Sequence, residues 1–493
     1  MTEHSSLAHR TNQHLDPDKS RVIAKLYLPG EEIQGNQSRV AIVVQRVLAL
    51  SEADVEAMAE STMRDFGTRH RDLNGLLLEN GRRVASHISD VSELSEARTT
   101  VMGAAFTAEY AIEGAALCNP SVVPHPDQSG LQPGQLRVAL SLRAIGEGHV
   151  SSVGFASAIV GPDLTWKFQA RQTPTVVGAV IPLSWTNDQF RTLLEIDGVL
   201  DDLAHSVLGA LPDVFTPEDL RDAISGSHAD LLSRPTANDT IRSLQRAVTL
   251  AYQTTFPADV ELSQQVLLPV IVDESAGVED ARFVRFIGAD DESEYRATYT
   301  AFDGNNVSIR LIVSPDLRTF NSFPLSGPAA RNKGMALFPR QVNGQFVALC
   351  RTDGETTSVT TSRDGLTWGD PFPIHEPAAA WELVQVGNCG SPIELDQGWL
   401  VLTHGVGPMR SYAIGALLLD RAEPTKVIAR LDAPLIAPND DERDGYVPNV
   451  LYSCGSLVHD GTLWLPYGIG DARIAVASVS VDELLRAMTP VSG

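Results

Sequence analysis

At 493 residues, with 20% charged and 43% hydrophobic side chains, the chain has an ordinary globular composition and exceeds the size of a single core. The 62 Asp+Glu against 38 Lys+Arg leave a net charge of −24, which repels nucleic-acid backbones and anionic membrane surfaces. A phosphate site in such a field needs a local cluster of basic side chains. Cys118, Cys350, Cys389 and Cys454 lie far apart without a Cys-x-x-Cys pair, so free, buried thiols are expected rather than a zinc site or a disulfide framework. Residues 1–20 are polar and lack the apolar stretch of a secretory signal. No run of about 18 apolar residues occurs, and a cytoplasmic protein is expected.

In chain order, residues 1–20 read as a disordered tail. Arg21–Pro29 reads as a strand, and Arg39–Leu50 is apolar and β-branched enough to predict another. Ser51 with Asp54 three residues on marks a helix start, and the apolar spacing from Glu52 to about Ser86 predicts two helices broken near Gly67. Residues 21–105 are thus expected to form an N-terminal α/β extension. From about Tyr110 short apolar runs alternate with Gly, Pro, Asp and Asn turns, among them Arg137–Leu142, Val307–Val313, Trp399–Thr403 and Ile474–Val479. This texture indicates a mainly β domain: a sandwich, barrel or propeller. An Asp turn followed by Leu and an aromatic recurs at Pro162–Trp166, Ser314–Phe320 and Ser362–Trp368, which favours a propeller of equivalent blades. Helical periodicity at Leu193, Leu203, Val207, Leu220, Ile224, Leu244 and Val248, with an N-cap at Thr216 before Pro217, predicts a helical insertion over about 187–262. It is expected to pack beside the first helical part. The apolar helix faces suggest a homo-oligomer.

Polar residues gather at strand ends. Gly277-Val278-Glu279-Asp280-Ala281-Arg282 places a carboxylate at a strand entrance, where the ladder behind can hold it toward a cleft. An isolated Glu-Asp-x-Arg is more often a surface ion pair at a turn. Further segments are Cys118-Asn119-Pro120-Ser121, Ser141-Leu142-Arg143, Asn332-Lys333-Gly334, Arg351-Thr352-Asp353, Trp381–Pro392 with Gln385, Thr403-His404-Gly405-Val406, Gly445-Tyr446-Val447-Pro448-Asn449 and Gly468-Ile469-Gly470-Asp471. Taken together they resemble glycoside hydrolase family 130, the mannoside phosphorylases and related β-mannosidases. The resemblance spans roughly Tyr110–Val479, and Ala281 stands where the family's Glu-Asp-Pro-Arg has proline.

That resemblance implies a five-bladed β-propeller over residues 106–490 and an inverting displacement on a β-mannoside, β-1,2-linked oligomannoside being the best guess. Asp280 would be the general acid, with its pKa raised by enclosure, and inorganic phosphate would be the attacking co-substrate, with no other cofactor. Arg143, Lys333, Arg351 and His404 are the phosphate candidates. Asn119, Ser121, Arg282, Asn332, Gln385, Tyr446 and Asp471 are the sugar candidates. Gln385 departs from the lysine of comparable phosphorylases and removes one positive charge. The alternatives are a β-mannosidase, whose second carboxylate would stand ~6.5–9.5 Å from the acid to seat a water, and a propeller that binds glycans without chemistry. No metal-binding motif is evident.

Overall fold

The computed structural model describes residues 7–29, 32–33, 37–86 and 94–491. The β part of the chain folds into five antiparallel groups of strands. The first runs through Ala116–Pro124, Leu136–Ile145, Ser151–Gly161 and Thr165–Phe168. The second comprises Gly277–Ile287, Ser293–Phe302, Val307–Ser314 and Thr319–Pro324. Ala336–Leu337, Phe346–Cys350, Thr357–Ser362 and Phe372–His375 make the third. Gln385–Asn388, Gly398–Val406, Tyr412–Leu419 and Val427–Arg430 make the fourth. The fifth pairs Leu451–Tyr452, Thr462–Ile469 and Arg473–Ser480, and its outer place is taken by His9–Leu15 from the other end of the chain.

That last pairing corrects the expectation of a disordered tail, although residues 1–6 lie outside the described residues. His9–Leu15 has no apolar alternation to announce a strand. It is held by the open backbone edge of Arg473–Ser480, and Arg10 locks it with a two-pronged contact to Glu442 at 2.9 and 2.7 Å.

The recurring Asp turn joins the third strand to the fourth in each of the first three groups. Asp316 Oδ1 accepts from the backbone N–H groups of Arg318 and Thr319, and Asp364 Oδ1 accepts likewise from Leu366 and Thr367. The aromatic that follows, Trp166, Phe320 or Trp368, is buried each time.

Arg39–Leu48 is a helix, not the predicted strand. Its valines fall at positions 40, 43, 44 and 47, one helical face, and Val44 and Val47 are buried in a core shared with Val101 and Met102. Packing overrides the β propensity. The helices Glu52–Phe66, started by Ser51, and Leu73–Ser86 follow the predicted break at Gly67. The insertion carries helices Asn187–Ile196, Asp202–Ala210, Pro217–Ser225, Ala229–Leu232 and Ala237–Val248, with the Thr216–Asp219 capping box in place. It has its own core rather than sharing that of the first helical part, and hangs from the second group through Tyr252–Thr255, which pairs with Thr319–Pro324. Leu193, Leu203, Val207, Leu220, Ile224, Leu244 and Val248 are packed inside it, so the periodicity that suggested a subunit interface is accounted for within the chain. No helix among the described residues is long and apolar enough to cross a membrane, and all four cysteines are free and buried.

Candidate active site

Asp280 lies where the strand Gly277–Ile287 bulges. Glu279 faces Thr300 and Arg282 faces Thr298, so two residues, Asp280 and Ala281, stand against one. Asp280 adopts φ +56°, left-handed backbone that Asp and Asn tolerate better than other side chains. The strand Ala116–Pro124 repeats the device: its register shifts between Cys118 and Ser121, and Asn119 has φ +49°. Each bulge turns a polar side chain out of the ladder, and the two meet. Asn119 Nδ2 donates to Asp280 Oδ1 at 2.6 Å.

Around them is a cavity of about 440 Å³. Of the expected site residues, Asn119, Asp280, Arg282, Lys333, Arg351, Gln385, His404 and Asp471 line it. Arg143 stands behind, with Nη1 3.4 Å from Asp280 Oδ1 and Nε donating to Ser151 Oγ at 2.9 Å. Three expectations fail on placement. Ser121 is fully buried and spent on the backbone, its Oγ accepting from Phe283 N at 3.0 Å. Asn332 turns to its own chain, Oδ1 accepting from Lys333 N at 2.8 Å, and its neighbour reaches the cavity instead. Tyr446 is half exposed outside the cavity wall, its hydroxyl 2.7 Å from His149 Nδ1.

Charge is arranged in two layers. Glu279 accepts from Arg143 Nη2 and from Lys333 Nζ, each at 2.6 Å, so one buried carboxylate ties two cations together beside Asp280. Arg282 is fully buried: Nη1 donates to the Asp280 carbonyl at 2.9 Å, Nε to the Cys389 carbonyl at 3.0 Å and Nη2 to the Tyr452 hydroxyl at 3.1 Å. Burial pushes the Asp280 carboxyl up, but Arg143, Arg282, the Asn119 bond and Lys333 outweigh it. Its pKa therefore lies below the ordinary value, contrary to the expected upward shift. Asp471, in left-handed backbone at φ +48°, is the carboxyl that rises: burial lifts it to about 6, with Arg143 opposing and Asp280 and Glu279 adding to the rise.

His404 does not serve as a cation. Burial, then Arg351 and Arg282, hold its pKa well below the usual histidine value, so the imidazole is neutral. A guanidinium carries only donors, so Arg351 Nη1 donates to His404 Nε2 at 3.0 Å, which puts the ring proton on Nδ1. The ring is walled by Tyr452 at 4.8 Å and Tyr412 at 6.1 Å between centroids. Arg351 has no carboxylate within ion-pair distance among the described residues, and its Nε is buried without a partner. No cluster of His, Cys, Asp or Glu suited to a metal occurs among the described residues.

Tyr412, Tyr452, Met409 and Arg410 belong to the site or its mouth and escaped the reading of the sequence, while Glu279, Val447 and Asn449 stand in the motifs it singled out but were given no role. Glu279 could have been found as the neighbour of Asp280, but strand alternation sends it to the opposite face unless a bulge intervenes. Tyr452 carries no local signal.

The sequence profile of glycoside hydrolase family 130, described as beta-1,4-mannooligosaccharide phosphorylase, matches residues 256–489. A 1,2-beta-oligomannan phosphorylase of Thermoanaerobacter sp. (strain X514) is 34% identical over 232 residues, 46% of this chain and 75% of the relative. A beta-1,2-mannobiose phosphorylase of the same strain is 33% identical over 225 residues, 44% of this chain and 72% of the relative. The solved beta-1,2-mannobiose phosphorylase of Listeria innocua aligns over 77% of this chain and 92% of its own, at 19% identity and a TM-score of 0.43. The fold is mainly β, with polar and charged side chains converging on one cavity. The chain belongs to glycoside hydrolase family 130.

Proposed function

We propose that this protein is an inverting glycoside phosphorylase that removes the terminal mannosyl unit of a β-1,2-linked oligomannoside and transfers it to inorganic phosphate, giving mannose 1-phosphate. The linkage follows the names of the two relatives given above. The observation that carries phosphorolysis over hydrolysis is Arg351: a guanidinium on the cavity wall, backed by a neutral imidazole, with a buried unpartnered Nε and no carboxylate paired to it. A phosphate dianion supplies what that group lacks, and Lys333 stands on the same cavity. Asn119, whose buried Oδ1 has no partner, and Asp471 are suited to sugar hydroxyls.

Asp280 is the proposed acid, and phosphate itself adjusts it. The site's own cations hold the carboxyl ionised. A dianion among those cations offsets their field and raises the proton affinity of Asp280, so the acid is charged with its proton when the nucleophile is present. In the same reading the five strand groups are the blades of a propeller, closed by His9–Leu15 on the fifth, with 21–105 an extension and about 187–262 an insertion. The test is purified protein with β-1,2-mannobiose, with and without phosphate. Mannose 1-phosphate formed only with phosphate is expected; cleavage at the same rate without phosphate overturns the reading.

A further inference from the structure

The hairpin joining Gly398–Val406 to Tyr412–Leu419 closes with Gly407 N donating to Ser411 O at 3.0 Å and Ser411 N to Pro408 O at 3.3 Å. Its two central residues, Met409 and Arg410, both have left-handed backbone, φ +59° and +52°. A two-residue turn of that kind is best served by Asn-Gly, because side chains beyond Asn and Asp are strained there. The corresponding hairpin of the first strand group, between Leu136–Ile145 and Ser151–Gly161, is closed likewise by Gly146 N donating to Val150 O at 3.1 Å and puts Gly148 and His149 in left-handed backbone. Met409 thus occupies the place where the first group has glycine.

Met409 is also 88% exposed while lining the cavity that holds Asp280, and Val447 beside that cavity is 40% exposed. A strained turn that presents a bare thioether to water has no folding rationale. It has one as a contact surface. Asp280 and Asn119 are buried at the closed end, so a glycan whose terminal unit reaches them must emerge past the exposed residues at the mouth. A thioether suits the C–H face of a pyranose, and the exposed Arg410, anchored 3.4 Å from the Tyr412 hydroxyl, can donate to ring hydroxyls.

We propose that Met409 and Arg410 form the platform that holds the leaving sugar, and so set how strongly this protein favours an oligosaccharide over a single mannosyl unit. The proposal rests on the mannoside reading above, but not on phosphate. Its test is calorimetric binding of β-1,2-mannotriose and of mannose to the wild type and to the double variant Met409→Asn, Arg410→Gly, alongside thermal unfolding. Asn-Gly relieves the turn, so the unfolding midpoint is expected to hold or rise while the trisaccharide-to-mannose affinity ratio falls by about tenfold. Should the double variant fail to fold, Met409→Gly, which copies the first group's residue, is measured instead. An unchanged ratio in a folded variant overturns the platform. Phosphate-independent cleavage by the wild type overturns phosphorolysis and leaves the platform standing, and a wild type that binds neither glycan ends both.

Discussion

Asn119 and Asp280 meet across 2.6 Å from bulges in the first strands of two different strand groups, each in left-handed backbone. The carboxyl is therefore fixed from two directions, by its own bulge and by an amide donor that stabilises its charged form. Asp280→Asn keeps the backbone preference and removes the proton donor. Turnover of β-1,2-mannobiose is expected to fall about 10²–10⁴-fold with the unfolding midpoint little changed. Retained turnover in the folded variant would remove Asp280 from the chemistry.

Arg351 offers a planar fork, and lysine keeps the charge without the geometry. Arg351→Lys is expected to raise the phosphate KM by about tenfold or more while the mannobiose KM moves little. Steady-state kinetics with each substrate varied in turn checks this; equal rises in both constants would mean a general disturbance of the pocket.

Glu279 screens Arg143 and Lys333 from Asp280. With Asp280 as the proposed acid, activity is expected to fall as pH rises through its value in the loaded site. Glu279→Gln leaves two cations uncompensated, favours the Asp280 carboxylate, and is expected to move the alkaline limb of kcat down by about one pH unit. A pH–rate profile with the limb unmoved would show that the screening is without effect.

Asp471 gives a stability test whose sign follows from its raised value. A carboxyl near 6 in the folded state, against an ordinary 3.8, favours folding fully only below the ordinary value, and the contribution is lost as pH rises through about 6. Asp471→Asn carries no charge to bury and suits the left-handed backbone. It is expected to be about 1–3 kcal/mol more stable than the wild type at pH 8, with the difference shrinking toward pH 4. Denaturant unfolding at the two pH values measures it, and a difference independent of pH would contradict the buried charge.

Local chemistry alone determined much of this protein. The Asp turns with their buried aromatics, the Thr216 capping box, the Ser51 start and most central strands follow from neighbours within a few residues, where hydrogen bonding and periodicity act. The order of Asn119, Asp280, Lys333, Arg351, His404 and Asp471 along the chain resembles the family's, and they line one cavity from bulges inside strands (Asn119, Asp280), from within a strand (His404) and from the segments between strands (Lys333, Arg351, Asp471). Tertiary structure decided the rest. His9–Leu15 is a strand because a distant edge needed a partner, and Arg39–Leu48 is a helix because its valines found a helical core. Ser121 was taken up by the remote Phe283 backbone, which no local pattern reveals, and Asn332 by the N–H of its neighbour Lys333. Above all, the charge state of Asp280 depends on Arg143 and Lys333 as well as on its near neighbour Arg282, and the first two come from other segments; a pKa is set by distance in space, and sequence spacing does not record their distance.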